Sequence, residues 1–192
     1  MFNGKHIVLV GLMGAGKTSV GRQLANQMNR PFYDSDQESE YSAGLRISDI
    51  FEIYGEPSFR ELEEKVILRL LKQKEPSVIA TGGGAYISEV TQKNIKKHGV
   101  SVWLKADLDI LMKRIVTTVH RPILQTGDRR ETLEKLIDVR YPIYARADIE
   151  IKVDKSSAGV MARKVRKKLE KFEATQTSKP PPETPDADTK DA

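Results

Sequence analysis

The chain has 192 residues, Lys+Arg 32 against Asp+Glu 27, a formal net charge of +5 and no cysteine. That length gives one domain of ordinary size, or one domain with a tail, and is enough to bury a core without staples. The missing thiols exclude a disulfide scaffold, a cysteine nucleophile and Cys-ligated zinc or iron–sulfur sites, while the basic balance suits nucleic acid and anionic small molecules equally.

The opening MFNGKHIVLVG runs straight into residues 7–10, a β-rich run that stops at glycine. It lacks the separate basic, apolar and cleavage regions of a signal peptide, and no apolar run reaches the ~18–20 residues of a membrane span. A cytoplasmic protein without membrane contact is expected. Val20, Leu24 and Met28 recur at spacing four and predict a helix. Residues 31–34 read as a second strand. Residues 47–54 and 59–72 read as helices, the latter with Leu62, Val66 and Leu70 on one stripe. Residues 78–81 form a third strand, stopped by three glycines, and residues 100–104 a fourth. Residues 107–117 are helical. Residues 130–145 are helical with Pro142 bending or interrupting them. Residues 149–153 alternate with period two as a fifth strand. Met161, Val165, Leu169 and Phe172 mark a last helix.

Strands alternating with helices imply an α/β fold, a parallel sheet with helices on both faces. Such sheets bind ligands at the carboxyl ends of their strands. Residues 175–192 hold four of the nine prolines, carry a net charge of −2 and contain no large apolar side chain. They cannot bury enough surface to offset chain entropy, so a disordered acidic tail is expected after a domain spanning 1–174.

Gly11-Leu-Met-Gly-Ala-Gly16-Lys17-Thr18 fits G-x-x-x-x-G-K-[ST]. The glycines let successive N–H groups face a phosphate, and the following helix adds its N-terminal dipole. Lys17 would reach the β and γ phosphates, and Thr18 would ligate Mg²⁺. Asp34-Ser35-Asp36 follows the second strand. One carboxylate there suits Mg²⁺ held through water, and the other suits a substrate hydroxyl; a helix-capping turn is the plainer alternative. Thr81-Gly82-Gly83-Gly84 follows the third strand, where close backbone approach to an anion is possible. That strand ends without the acidic residue of GTPases and motor ATPases, which argues against both. Arg60, Arg121 and Arg140 suit a carboxylate or phosphate partner, but composition alone does not select them from other surface arginines.

GLMGAGKT, FYDSD, FRELEEKV, ATGGGA, HRPIL and VRYPIYARAD occur in an order and spacing that resembles shikimate kinase, over roughly residues 4–172. The phosphate loop is generic; DSD, F-R-x-x-E-E and GGG are specific. The resemblance implies a three-layer P-loop kinase fold, with a five-stranded parallel sheet in the order 2-3-1-4-5. It implies transfer of the γ-phosphoryl of ATP to the 3-hydroxyl of shikimate with Mg²⁺, in aromatic amino-acid biosynthesis, by a monomer. By the same resemblance Gly14, Ala15, Gly16, Lys17, Thr18 and Ser19 wrap the ATP phosphates. Asp34 holds a Mg²⁺ water and Asp36 meets the substrate hydroxyls. Arg60, Arg140 and the backbone of Gly82 and Gly83 pin the substrate carboxylate. Arg121 belongs to a mobile lid at 116–128, Arg114 packs on adenine, and Phe51 and Phe59 wall the substrate pocket. Residues 155–158 depart from relatives that place a longer side chain near adenine, and the tail lies outside the family pattern.

Two rival readings remain, each less favoured by the residues. A gluconate-type kinase shares the phosphate loop but is not expected to combine DSD, Arg60, the glycine triplet and Arg140. A nucleic-acid-binding module would draw on Arg163, Lys164, Arg166, Lys167, Lys168 and Lys171, yet that helix has an inward apolar stripe and no interleaved aromatics to stack on bases. His6, His98 and His120 show no metal-ligand spacing.

Overall fold

The computed structural model describes residues 4–115 and 128–177. Five apolar runs form strands: β1 (His6–Val10), β2 (Phe32–Asp34), β3 (Val78–Ala80), β4 (Gly99–Lys105) and β5 (Ile149–Lys152). Every pairing is parallel and the order is β2-β3-β1-β4-β5, as expected. Central β1 is buried at all five positions, because helices cover both of its faces. Edge strand β5 alternates buried and exposed. Ile7 lies in register with Val78 on one side and Val100 on the other.

Seven helices flank the sheet among the described residues: α1 (Lys17–Met28), α2 (Ser35–Ala43), α3 (Ile47–Leu71), α4 (Glu89–His98), α5 (Leu108–Ile115), α6 (Arg129–Tyr144) and α7 (Ala158–Thr177). The helices expected at 47–54 and 59–72 are the two arms of α3. They meet at Gly55, whose φ of 78° and ψ of 170° break the helix. Pro57 sits just past that break, near the start of the second arm, where its missing N–H costs little. α2 and α4 had no counterpart in the sequence reading. Their sequences, SDQESEYSA and EVTQKNIKKH, carry too few apolar residues to draw a stripe.

α7 packs on α1 and continues through Thr177, three residues into the stretch expected to be tail. Residues 178–192, and all but the last residue of the lid expected at 116–128, lie outside the described residues. On α7, Met161, Val165 and Leu169 are buried while Arg163, Lys164, Lys167 and Lys168 are exposed, so its basic side is a solvated face. Lys164 pairs with Asp154 and Arg166 with Glu170. No described helix is long and apolar enough to cross a membrane.

Candidate active site

The chain leaves β1 at Val10 and forms the phosphate loop before α1. Gly16 caps α1 in the left-handed conformation, φ 94°. Lys17 is buried and turns back over the loop, its Nζ donating to the carbonyls of Gly11 at 2.7 Å and Leu12 at 2.9 Å. Thr18 occupies the first turn of α1, and Ser19, next along it, is exposed. Ala15 is buried beneath the loop.

β2 ends beside this loop. Thr18 Oγ1 donates to Asp34 Oδ2 at 2.8 Å. The other oxygen, Asp34 Oδ1, accepts from the Asp36 amide at 3.1 Å and caps α2. The capping turn and the acidic pair are therefore the same feature. Asp36 sits in the first turn of α2, half-buried.

β3 delivers the glycine run to the same end of the sheet. The Gly82 amide donates to Ser35 Oγ at 3.0 Å. A Cβ at Gly82 would collide with Glu63 Oε1 and lie 2.6 Å from Asp36 Oδ1, so two carboxylates converge on this backbone. A Cβ at Gly84 would lie 2.5 Å from Arg60 Nη1 and 2.6 Å from Nη2, so the Arg60 guanidinium rests on that glycine. Arg140, from α6, donates from Nη1 to the Gly83 carbonyl at 3.2 Å. A Cβ at Gly83 would stand 3.3 Å from the Met13 amide nitrogen, which places the glycine run against the phosphate loop.

Glu63 is 2 % exposed. Its Oε2 accepts from Arg60 Nη1 at 2.7 Å, while Oε1 has no hydrogen-bond partner among the described residues. Burial pushes the Glu63 carboxyl up from its ordinary value; Arg60 opposes the shift and Asp36 adds to it. Burial also works against charge on Arg60, but Glu63 and Glu56 together outweigh it and raise the guanidinium. Glu56 Oε1 takes Arg60 Nε at 3.1 Å and Nη2 at 2.9 Å on the exposed side.

Arg114, on α5, donates to the Ala15 carbonyl at 3.1 Å and the Asp154 carbonyl at 3.3 Å. It bridges the phosphate loop and the segment after β5. Phe51 and Phe59 meet across the α3 break with centroids 4.8 Å apart. A 430 Å³ groove between the end of β4 and α6 is rimmed by Asp107, Glu134 and Asp138, the wrong sign for a nucleotide or a carboxylate. Arg121 lies outside the described residues.

The model of the shikimate kinase family matches residues 13–170. A shikimate kinase from Bartonella quintana is 50% identical over 170 residues, covering 88% of this chain and 80% of the relative. One from Paramagnetospirillum magneticum is 56% identical over 146 residues, covering 76% and 74%. A solved shikimate kinase from Acinetobacter baumannii, in complex with shikimate, superposes with a TM-score of 0.84 at 35% identity, covering 92% of this chain and 97% of its own.

The chain belongs to the shikimate kinase family.

It is a kinase that uses ATP, and its activity belongs to the shikimate pathway of aromatic amino-acid biosynthesis. In this shikimate kinase family member, one end of the sheet gathers Lys17, Thr18 and Asp34 at the phosphate loop. It gathers Asp36, Arg60, Gly82, Gly83 and Arg140 beside them. Three residues of the cluster were missed. Glu63 stands inside the F-R-x-x-E-E block, but a glutamate three residues after an arginine reads as a solvated helix pair. Ser35 hid between two aspartates. Tyr144, four residues after Arg140, donates its hydroxyl to the Gly83 carbonyl and is fully buried; its spacing of one helical turn was the available signal.

Proposed function

We propose that the protein transfers the γ-phosphoryl group of ATP to the 3-hydroxyl of shikimate, giving shikimate 3-phosphate and ADP. One observation carries the reading. Two arginines from different helices lie along one glycine run, beside the Asp36 carboxylate and against a phosphate loop. A small hydroxylated carboxylic acid matches that arrangement of charge.

Arg60 and Arg140 hold the substrate carboxylate, with the Gly82 and Gly83 backbone beside it. Asp36 holds the reacting hydroxyl in line and is placed to take its proton. Lys17 follows the β and γ phosphates, and the transferring group is assigned to Arg121, which lies outside the described residues. Gly14, Ala15, Gly16 and Ser19 line the phosphates, and Arg114 lies against the adenine. Transfer is direct, without a covalent enzyme intermediate, since positioning and charge neutralisation are what phosphoryl transfer chiefly requires.

Thr18 Oγ1 and the Asp34 carboxylate are adjacent hard oxygen donors, which fits Mg²⁺. When bound, Mg²⁺ would neutralise charge on the phosphate oxygens. A cytoplasmic monomer completes the reading.

The test is an ADP-release assay over shikimate, quinate, gluconate and nucleoside monophosphates. Turnover dominated by shikimate is expected. Equal or faster turnover of gluconate or a nucleotide would overturn the assignment.

A further inference from the structure

We infer that Tyr144 is a positioning residue for substrate binding: its buried hydroxyl fixes the Gly83 carbonyl so that Arg140 can engage a carboxylate without releasing the glycine run. The inference rests on the carboxylate clamp proposed above and deepens it.

The glycine run needs outside support. Without side chains, residues 82–84 have a wide choice of backbone angles and no packing of their own to limit it. Each carbonyl of the run has a pin. Gly82 O accepts from the Ala85 amide at 3.3 Å and Gly84 O from the Ile87 amide at 3.0 Å, both from the 3₁₀ turn that follows. Gly83 O is pinned from α6 instead, by Arg140 Nη1 and by the Tyr144 hydroxyl. The peptide is planar and trans, so fixing the Gly83 carbonyl toward α6 also fixes the opposite direction of the Gly84 N–H, on the residue where Arg60 rests.

These two donors are not equivalent. Arg140 is the group a bound carboxylate recruits, and a guanidinium drawn into a bidentate pair is drawn from its present acceptor. Tyr144 has no such second duty. It is 0 % exposed and set among Trp103, Tyr86 and Tyr141, with ring centroids 6.0 to 6.5 Å away. Burial pushes its phenol up to about 12, so the hydroxyl stays protonated and remains a donor throughout any assay range. Arg140 also hydrogen-bonds the Tyr144 oxygen, which joins both side chains and the Gly83 carbonyl in one network.

A plain core tyrosine would share the burial but not the acceptor. Tyr141 supplies the control. It is packed edge-on against Trp103, centroids 5.0 Å apart, and gives its hydroxyl to the Ala106 carbonyl, outside the glycine run.

The experiment compares the parent with Tyr144→Phe, Tyr141→Phe and Arg140→Ala in steady-state kinetics with both substrates varied. Tyr144→Phe is expected to raise the shikimate KM about three- to tenfold, the worth of one ordinary hydrogen bond, with the ATP KM within about twofold. Tyr141→Phe should leave both within about twofold. Placing 4-aminophenylalanine at 144 restores an N–H donor and should return the shikimate KM toward the parent. If Tyr144→Phe does not fold, 4-fluorophenylalanine at 144 replaces it, keeping the ring's length without a donor. A shikimate KM unchanged in either donor-free variant, or raised equally by Tyr141→Phe, overturns the inference. When Arg140→Ala weakens shikimate and Tyr144→Phe does not, only the Tyr144 role falls. When Arg140→Ala is itself without effect, the clamp falls and takes the inference with it.

Discussion

Arg60 holds Glu63 and Glu56 with opposite ends of one guanidinium: Nη1 reaches Glu63 Oε2 inside at 2.7 Å, and Nη2 reaches Glu56 Oε1 outside at 2.9 Å. The inner partner is buried and the outer one exposed, so the pair sets which way the fork faces. Glu63→Ala removes the inner hold and leaves only the outward one. The shikimate KM is expected to rise roughly tenfold or more, with the ATP KM little changed. Glu56→Ala should cost far less, because an exposed pair contributes little. Steady-state kinetics on both variants checks the contrast; equal effects would refute it.

Thr18→Val keeps the shape of the side chain and deletes the donor to Asp34. The Mg²⁺ concentration needed for half-maximal rate should rise, read from a titration at fixed ATP. Asp34→Ala removes the same partner and also the cap of α2. It should cost about 1 kcal/mol of stability in addition, seen as a lower midpoint in urea.

Gly84→Ala and Gly82→Ala separate binding from turnover. At Gly84 the three atoms nearest the added methyl all belong to the Arg60 guanidinium, the far end of a flexible side chain. The shikimate KM should rise, with some loss of thermal stability as Arg60 leaves the buried Glu63. At Gly82 the methyl meets the Glu63 and Asp36 carboxylates together. Turnover should fall with it, since Asp36 is the group proposed to hold the reacting hydroxyl. A Gly84→Ala variant with normal shikimate affinity would show that Arg60 is not needed where it rests.

His6 gives a pH dependence remote from the site, at the amino end of β1. Its Nδ1 accepts from the Ser77 amide at 3.2 Å and lies 2.9 Å from Ser77 Oγ, while Nε2 faces the Gln73 carbonyl at 3.3 Å. Burial is the main cause that lowers its pKa below 6.5, with His98 and Arg30 adding to it. The unfolded chain therefore takes up a proton first. Stability from this residue is complete above about pH 6.5 and declines as pH falls below that value. Melting temperatures from pH 5 to 7.5 should show a slope that His6→Gln flattens. An unchanged slope would mean that other groups govern the acid limb.

Much of this was legible beforehand, for physical reasons. The strands are buried on both faces or alternate cleanly, so β1, β4 and β5 announce themselves. The phosphate loop is legible because one spacing of Gly, Lys and Thr suits a phosphate. α2 was not, because it is held by Asp34 at its start and by packing on α3 rather than by an apolar stripe. Glu63 was hidden by its sequence neighbours. Its meaning comes from burial beside Gly82, a residue nineteen positions away, and no local pattern records that.

The break at Gly55 gives α3 two axes where a continuous helix would have one. The first arm carries Phe51 and the second carries Phe59, Arg60 and Glu63, and the phenylalanines touch across the joint at 4.8 Å. Phe51 therefore rides on one lever, and Phe59 with the charged fork on the other, the two sharing a pivot at Gly55. Under the carboxylate clamp proposed above, a substitution at residue 55 would move Phe51 relative to Arg60 while leaving Phe59, Arg60 and Glu63 on one rigid turn, and residue 55 is where an engineer would vary that spacing.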